Sequence, residues 1–129
     1  MQPIPPATSY TATLVVTDAH SAAALGSGDL SVLGTPAMTA LMEQAAMRAI
    51  APFLESGTES SVGISLTVTH DRATAIGDTV TATATVIHTD GRRIDFAVTA
   101  ADSSGNVIGK GTHARFIVDV QKFMARIGK

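Results

Sequence analysis

Residues 33–55 read LGTPAMTALMEQAAMRAIAPFLE, and how this segment is covered decides the fold. Thr35 and Pro36 read as a helix start, with Thr35 at or near the N-cap and Pro36 at the first helical position, where a missing N–H costs nothing. The spacing predicts a helix to about Leu54, with Pro52 near its end placed to shorten or kink it. At about 100° per residue, the apolar positions from Ala37 through Met42, Ala46 and Ile50 to Leu54 cover most of the circumference. Such a helix is wrapped by other structure. One carboxylate, Glu43, interrupts it.

The flanking sequence supplies the wrapping. Met1 to Ala7 is Pro-rich and is expected to be a loose lead-in over residues 1–8 of a single domain spanning 1–129. A first strand is expected over Tyr10 to Thr17, where small polar and apolar residues alternate. The segment DAHSAAALGSGDLSVLG then predicts a short helix or turn followed by a flexible loop, the natural candidate for a lid. After the helix, four more strands are expected over Ser61 to His70, Thr79 to His88, Ile94 to Ala100 and Val107 to Val118, each with one apolar face. Asp90-Gly91 is a two-residue hairpin signal and Ser103 to Asn106 another turn, so the four read as an antiparallel meander. The fold class is α+β: a five-stranded antiparallel sheet curled around one long helix satisfies every apolar face.

At 129 residues with no cysteine, the chain can bury a core without disulfides, and a thiolate metal site is excluded. A reducing cytoplasm fits that composition. No basic leader followed by an apolar stretch opens the sequence, and no apolar run reaches the roughly 20 residues that span a bilayer. A soluble protein with no membrane partner is expected. The net charge of −2 and the 4% aromatic content argue against nucleic acid, which needs a basic face or stacking aromatics.

Glu43 shares its helix stripe with Thr39, Met47, Ile50 and Leu54, and no basic residue stands three or four positions away to pair with it. Either that stripe meets water, or it is covered and the carboxylate must find donors, a cation or a raised pKa suited to a general base. His70 has the parity of Val62, Ile64, Leu66 and Val68, so an unbulged strand turns its imidazole toward the helix. Thr35 places a hydroxyl beside the free N–H groups of a helix start, an arrangement able to hold a developing oxyanion, or serves as an ordinary cap. Gly63 marks either a close approach of backbone or ligand, or a bulge.

The segments TPAMTALMEQAA, SVGISLTVTH and GKGTHARF resemble the fluoroacetyl-CoA thioesterase-like family of hotdog-fold proteins, over about Tyr10 to Phe123. The resemblance implies that Thr35, Glu43 and His70 act together on an acyl thioester, with Gly63 and Arg115 on the substrate side. It implies a homodimer with the thioester bound between subunits, Thr35 and Glu43 of one chain meeting His70 of the other chain or of their own, and no cofactor beyond the coenzyme A of the substrate. Glu43 would be general base or transient nucleophile, His70 would relay a proton and Thr35 would position the attack. Arg72, Arg92, Arg93, Lys110 and Arg115 are candidates by charge for the coenzyme phosphates. The family's fluoroacetyl-selective branch is gated by phenylalanines before the helix, and Leu25 to Leu33 holds no aromatic residue, so a different small or medium acyl group is expected. Two other readings stay open: a hotdog protein that binds an acyl-CoA or other apolar ligand without turning it over, and hydratase chemistry that keeps the thioester.

Overall fold

Small side chains let the central helix sit close to the sheet. The computed structural model describes residues 1–128. Among these, five strands form one antiparallel sheet: β1 (Ser9–Val15), β2 (Glu59–His70), β3 (Thr79–Asp90), β4 (Arg93–Ala101) and β5 (Val107–Asp119). Three helices accompany it: α1 (Ala22–Leu25), α2 (Thr35–Ile50) and α3 (Val120–Arg126). The sheet curls around α2 as expected. Ala12 of β1 pairs with Ala82 of β3, and both are buried with Ala84 against the Ala45, Ala46 and Ala49 side of α2. On β4, Ile94, Phe96, Val98 and Ala100 alternate inward and complete that floor.

The α-helix stops at Ile50, short of Leu54, and continues as a 3-10 turn over Ala51–Phe53. Pro52 accounts for this, because its ring clashes with the carbonyl four residues back and it has no N–H to give. The lead-in expected to be loose makes defined contacts: the Gln2 N–H donates to the Phe53 carbonyl over 2.8 Å, and Ile4 packs against the core. At the β3–β4 hairpin, Asp90 pairs with Arg93, so the two loop residues are Gly91 and Arg92. Gly91, at φ 58°, takes the first loop position, where a type II′ turn requires positive φ.

The expected meander of four strands holds only for β3, β4 and β5. The sheet order is β1-β3-β4-β5-β2, so β2 lies at the far edge beside β5. Its connection to β3 has no tight turn. Instead that connection crosses over the start of α2, where Ala75 bridges to Val32 and the Gly77 N–H reaches the Val16 carbonyl over 2.7 Å. No helix among the described residues is long and apolar enough to cross a membrane.

β2 and β5 meet over glycines. A Cβ on Gly109 would stand 2.6 Å from the Met38 Sδ and 2.7 Å from the Thr69 carbonyl oxygen, so only hydrogen fits between helix and sheet. Gly109→Ala is expected to destabilise the fold by about 1–3 kcal/mol through overpacking, measured as a lower urea midpoint at unchanged m-value.

Candidate active site

The residue that caps α2 is Gly34, and Thr35 is the first helical position with Pro36 after it. Glycine suits the cap because a Cβ there would lie 3.1 Å from the Ala22 backbone, tight enough that this backbone would have to give way by a few tenths of an ångström. Thr35 is therefore free of capping duty. Its Oγ1 lies 2.7 Å from His70 Nδ1, across from the last residue of β2. The other ring nitrogen, His70 Nε2, is buried without a hydrogen-bond partner among the described residues.

A cleft of about 270 Å³ opens at this pair, lined by Ala22, Val32, Leu33, Thr35, His70 and Arg72. Its roof is the segment expected to be a flexible lid. The short helix is present as α1, but the loop after it is tied down: Ala23 N–H donates to the Leu30 carbonyl over 3.1 Å and Leu33 N–H to that of Thr74 over 2.9 Å.

His70 reaches this position through a bulge. Gly63 pairs with Arg115 and Ser65 with Ala114, so Ile64 is an extra residue in β2. The shift exchanges the two faces. Ser61 and Gly63 share the helix-facing side with Leu66, Val68 and His70, while Val62 lies opposite Phe116 on the outer face. The parity that pointed His70 inward holds for Leu66 and Val68 and fails for Val62 and for Ile64, the extra residue, which is exposed.

Glu43 belongs to a second group. Its side chain is 43% exposed, and Oε2 stands 3.8 Å from Arg115 Nη1. Arg115 itself is only 6% exposed. Its Nε donates to Ser61 Oγ over 2.8 Å and its Nη2 to the Ser61 carbonyl over 2.9 Å, while Nη1 lies 3.2 Å from His113 Nε2. Burial lowers the pKa of Arg115 and the nearby Glu43 carboxylate raises it. Gly63 completes the group, since a Cβ there would lie 2.9 Å from Glu43 Oε2 and 3.2 Å from His113 Cε1. The stripe holding Glu43 is thus half covered, and the covering contributes a cation.

Thr35 and His70 meet within the chain, and Glu43 does not join them. Eight residues of helix separate Thr35 from Glu43, a rise of about 12 Å. Of the five basic residues considered for coenzyme phosphates, Arg115 is sealed under Glu43. Arg72, Arg92 and Arg93 face Asp102, Glu59 and Asp95 at 3.8, 3.4 and 3.1 Å, and Lys110 stays exposed. His113 was not anticipated. It shares the inward parity of Arg115 and Ile117 on β5, and that alternation was its one signal.

Comparison with known proteins places this geometry among thioesterases. The family model for fluoroacetyl-CoA-specific thioesterase matches residues 16–121. The fluoroacetyl-CoA thioesterase of Streptantibioticus cattleyicolor is 45% identical over 96 residues, covering 74% of this chain and 68% of that protein. A solved structure of the fluoroacetyl-CoA thioesterase FlK superposes with a TM-score of 0.89 at 36% identity, covering 98% of this chain and 96% of that one. A thioesterase superfamily member from Thermus thermophilus superposes with a TM-score of 0.91 at 30% identity, covering 98% and 93%.

Proposed function

The chain belongs to the fluoroacetyl-CoA-specific thioesterase family, and from that premise we propose that it hydrolyses an acyl-CoA thioester with Thr35, His70 and Glu43. The observation that carries the assignment of residues is the His70 ring. With the Thr35 hydroxyl donating to Nδ1, the ring proton sits on Nε2, the buried atom without a partner beside the cleft. That N–H is placed to meet the thioester. Water bonds through oxygen to the carbonyl carbon while Glu43 takes its proton, and the C–S bond breaks with the departing sulfur held by the His70 Nε2–H; the Glu43 carboxyl then gives its proton to the thiolate and returns to a carboxylate. In the nucleophilic variant the Glu43 oxygen itself attacks, and water opens the resulting anhydride. The products are a carboxylate and coenzyme A. A cleft of about 270 Å³ walled by Ala22, Val32 and Leu33 suits a small or medium acyl group.

Glu43 joins the pair across a homodimer. β2 is an edge strand, and an unpaired edge is a template for a second strand. Ile64 on it is 48% exposed. In an antiparallel pairing of two β2 edges, paired residue numbers add to a constant. Paired residues share a face, so the dyad falls on a residue: one at Thr67 pairs Leu66 with the partner subunit's Val68, and with Ile64 the extra residue Gly63 then comes opposite the partner subunit's His70. Glu43, which rests over Gly63, is carried with it to the partner's Thr35 and His70. Gly63 leaves room there for the thioester, and Arg115 acts on it through the carboxylate it holds.

Gly63→Ala tests that geometry. The new methyl group meets the flexible end of Glu43 and, 3.2 Å away, the edge of the buried His113 ring, so Tm is expected to fall modestly while kcat falls about 10-fold or more from a misplaced carboxylate. The whole reading is tested by following thiol release from a panel of acyl-CoAs from acetyl to aromatic, with the particle mass measured by light scattering. Release from at least one member by a dimer is expected. Binding without release from any of them sinks the hydrolase reading.

A further inference from the structure

His113 is 2% exposed, lies outside the reacting triad and uses both ring nitrogens. Nδ1 is 2.8 Å from the Ser65 carbonyl oxygen, which only accepts, so Nδ1 carries the proton. Nε2 is 3.2 Å from Arg115 Nη1, and a guanidinium only donates, so Nε2 is a lone pair. The two contacts independently demand the same neutral tautomer. The bulge at Ile64 turns the Ser65 carbonyl toward the ring, and Phe96 holds the ring's face, with centroids 6.0 Å apart at 26°. Ser61 fixes the Nε and Nη2 edge of Arg115, which leaves Nη1 to be aimed. One of its hydrogens goes to His113 and the other faces Glu43 Oε2 at 3.8 Å.

We propose that His113 is the positioning residue that aims Arg115 at Glu43, and that it does so only as a neutral imidazole protonated on Nδ1. The proposal rests on Glu43 being the acid–base or nucleophilic carboxylate of a thioester hydrolase. Protonating His113 removes the acceptor for Nη1 and sets a second cation beside the guanidinium, so Arg115 turns away and Glu43 loses its anchor. The charged groups facing His113 are Glu43 from α2, which favours protonation, and Arg115 on its own strand, which opposes it. Phe96 from β4 and Gly63 and Leu66 from β2 bring no charge. Burial is the largest influence and holds the imidazole below its ordinary value of 6.5. Because the folded value is the lower one, the stabilisation is complete above the ordinary value and is lost as pH falls through the folded one.

The test compares wild type with His113→Gln and His113→Leu. Glutamine offers an acceptor near the Nε2 position that does not titrate, so kcat is expected to stay within about threefold and the acid limb due to His113 to vanish. Leucine is expected to cut kcat by about 10- to 100-fold with KM nearly unchanged. In an Arg115→Met background the same leucine is expected to cost less than about twofold, because its route is already gone. Multiplicative losses overturn the positioning role. Nitrogen-15 NMR of the wild type reads the ring without any turnover: an Nδ1–H tautomer with a midpoint below 6.5 is expected, and an Nε2–H tautomer or a higher midpoint overturns the proposal. A wild type inactive toward every acyl-CoA overturns the hydrolase reading and this role with it. That result is distinct from an active wild type whose losses multiply.

Discussion

Glu43→Gln is expected to lower kcat for acyl-CoA hydrolysis by about 100- to 10,000-fold, the range supplied by a positioned proton transfer. Glutamine keeps the length and shape of the side chain, so the half-covered helix stripe packs as before. It cannot take a proton from water or form an anhydride with the acyl group. The fold should tolerate the change. The pair with Arg115 spans 3.8 Å and its carboxylate is 43% exposed, so solvent screens it to about 1 kcal/mol or less. The two contacts of Arg115 to Ser61 do not involve Glu43. Thiol-release kinetics would show a fall in kcat and kcat/KM together, with KM and Tm little changed, as for a group used in the transition state. A variant that keeps wild-type kcat would reduce Glu43 to a counterion for a buried arginine.

The central helix was legible because nothing else explains an alanine- and methionine-rich stretch that is apolar nearly all round. Glu43 was legible for the same reason, as a charge on a surface that must be mostly covered. What covers it was not. Arg115 was found by resemblance and expected near substrate, but its burial depends on Ser61, which comes to the inner face only because of the bulge at Ile64. A bulge leaves no periodic trace when the residues around it are Val, Gly, Ile and Ser, so parity placed Val62 on the wrong face and His70 on the right one. Thr35 was read at or near the cap because Thr before Pro is a common helix start, yet Gly34 caps the helix, which is what frees the hydroxyl for His70. The place of β2 beside β5 was out of reach, since strand neighbours are inferred from turns and this pair shares none. His113 carried the least signal: one histidine at inward parity among ordinary strand residues.

Two inactive variants are expected to restore activity to each other. In Glu43→Gln every site lacks the carboxylate, and in His70→Ala every site lacks the imidazole, so each homodimer is inactive. When both chains are co-expressed and pair at random, about half of the dimers are mixed. If Glu43 serves the partner's cleft, a mixed dimer holds one site carrying both changes and one carrying neither. The mixture should then recover about a quarter of wild-type activity, and mixed dimers isolated with two different tags about half. If Glu43 and His70 of one chain act together, every site in a mixed dimer carries a lesion and nothing returns. The internal control comes from the 2.7 Å contact of Thr35 with its own His70. Thr35→Val and His70→Ala damage the same half of the site, so a mixed dimer of these two should have one cleft with Glu43, Thr35 and His70 all intact if Thr35 and His70 of a cleft come from different chains, and none if they come from the same chain. In the geometry observed each cleft takes its pair from one chain, so that pair fails to complement, whereas Thr35→Val with Glu43→Gln succeeds.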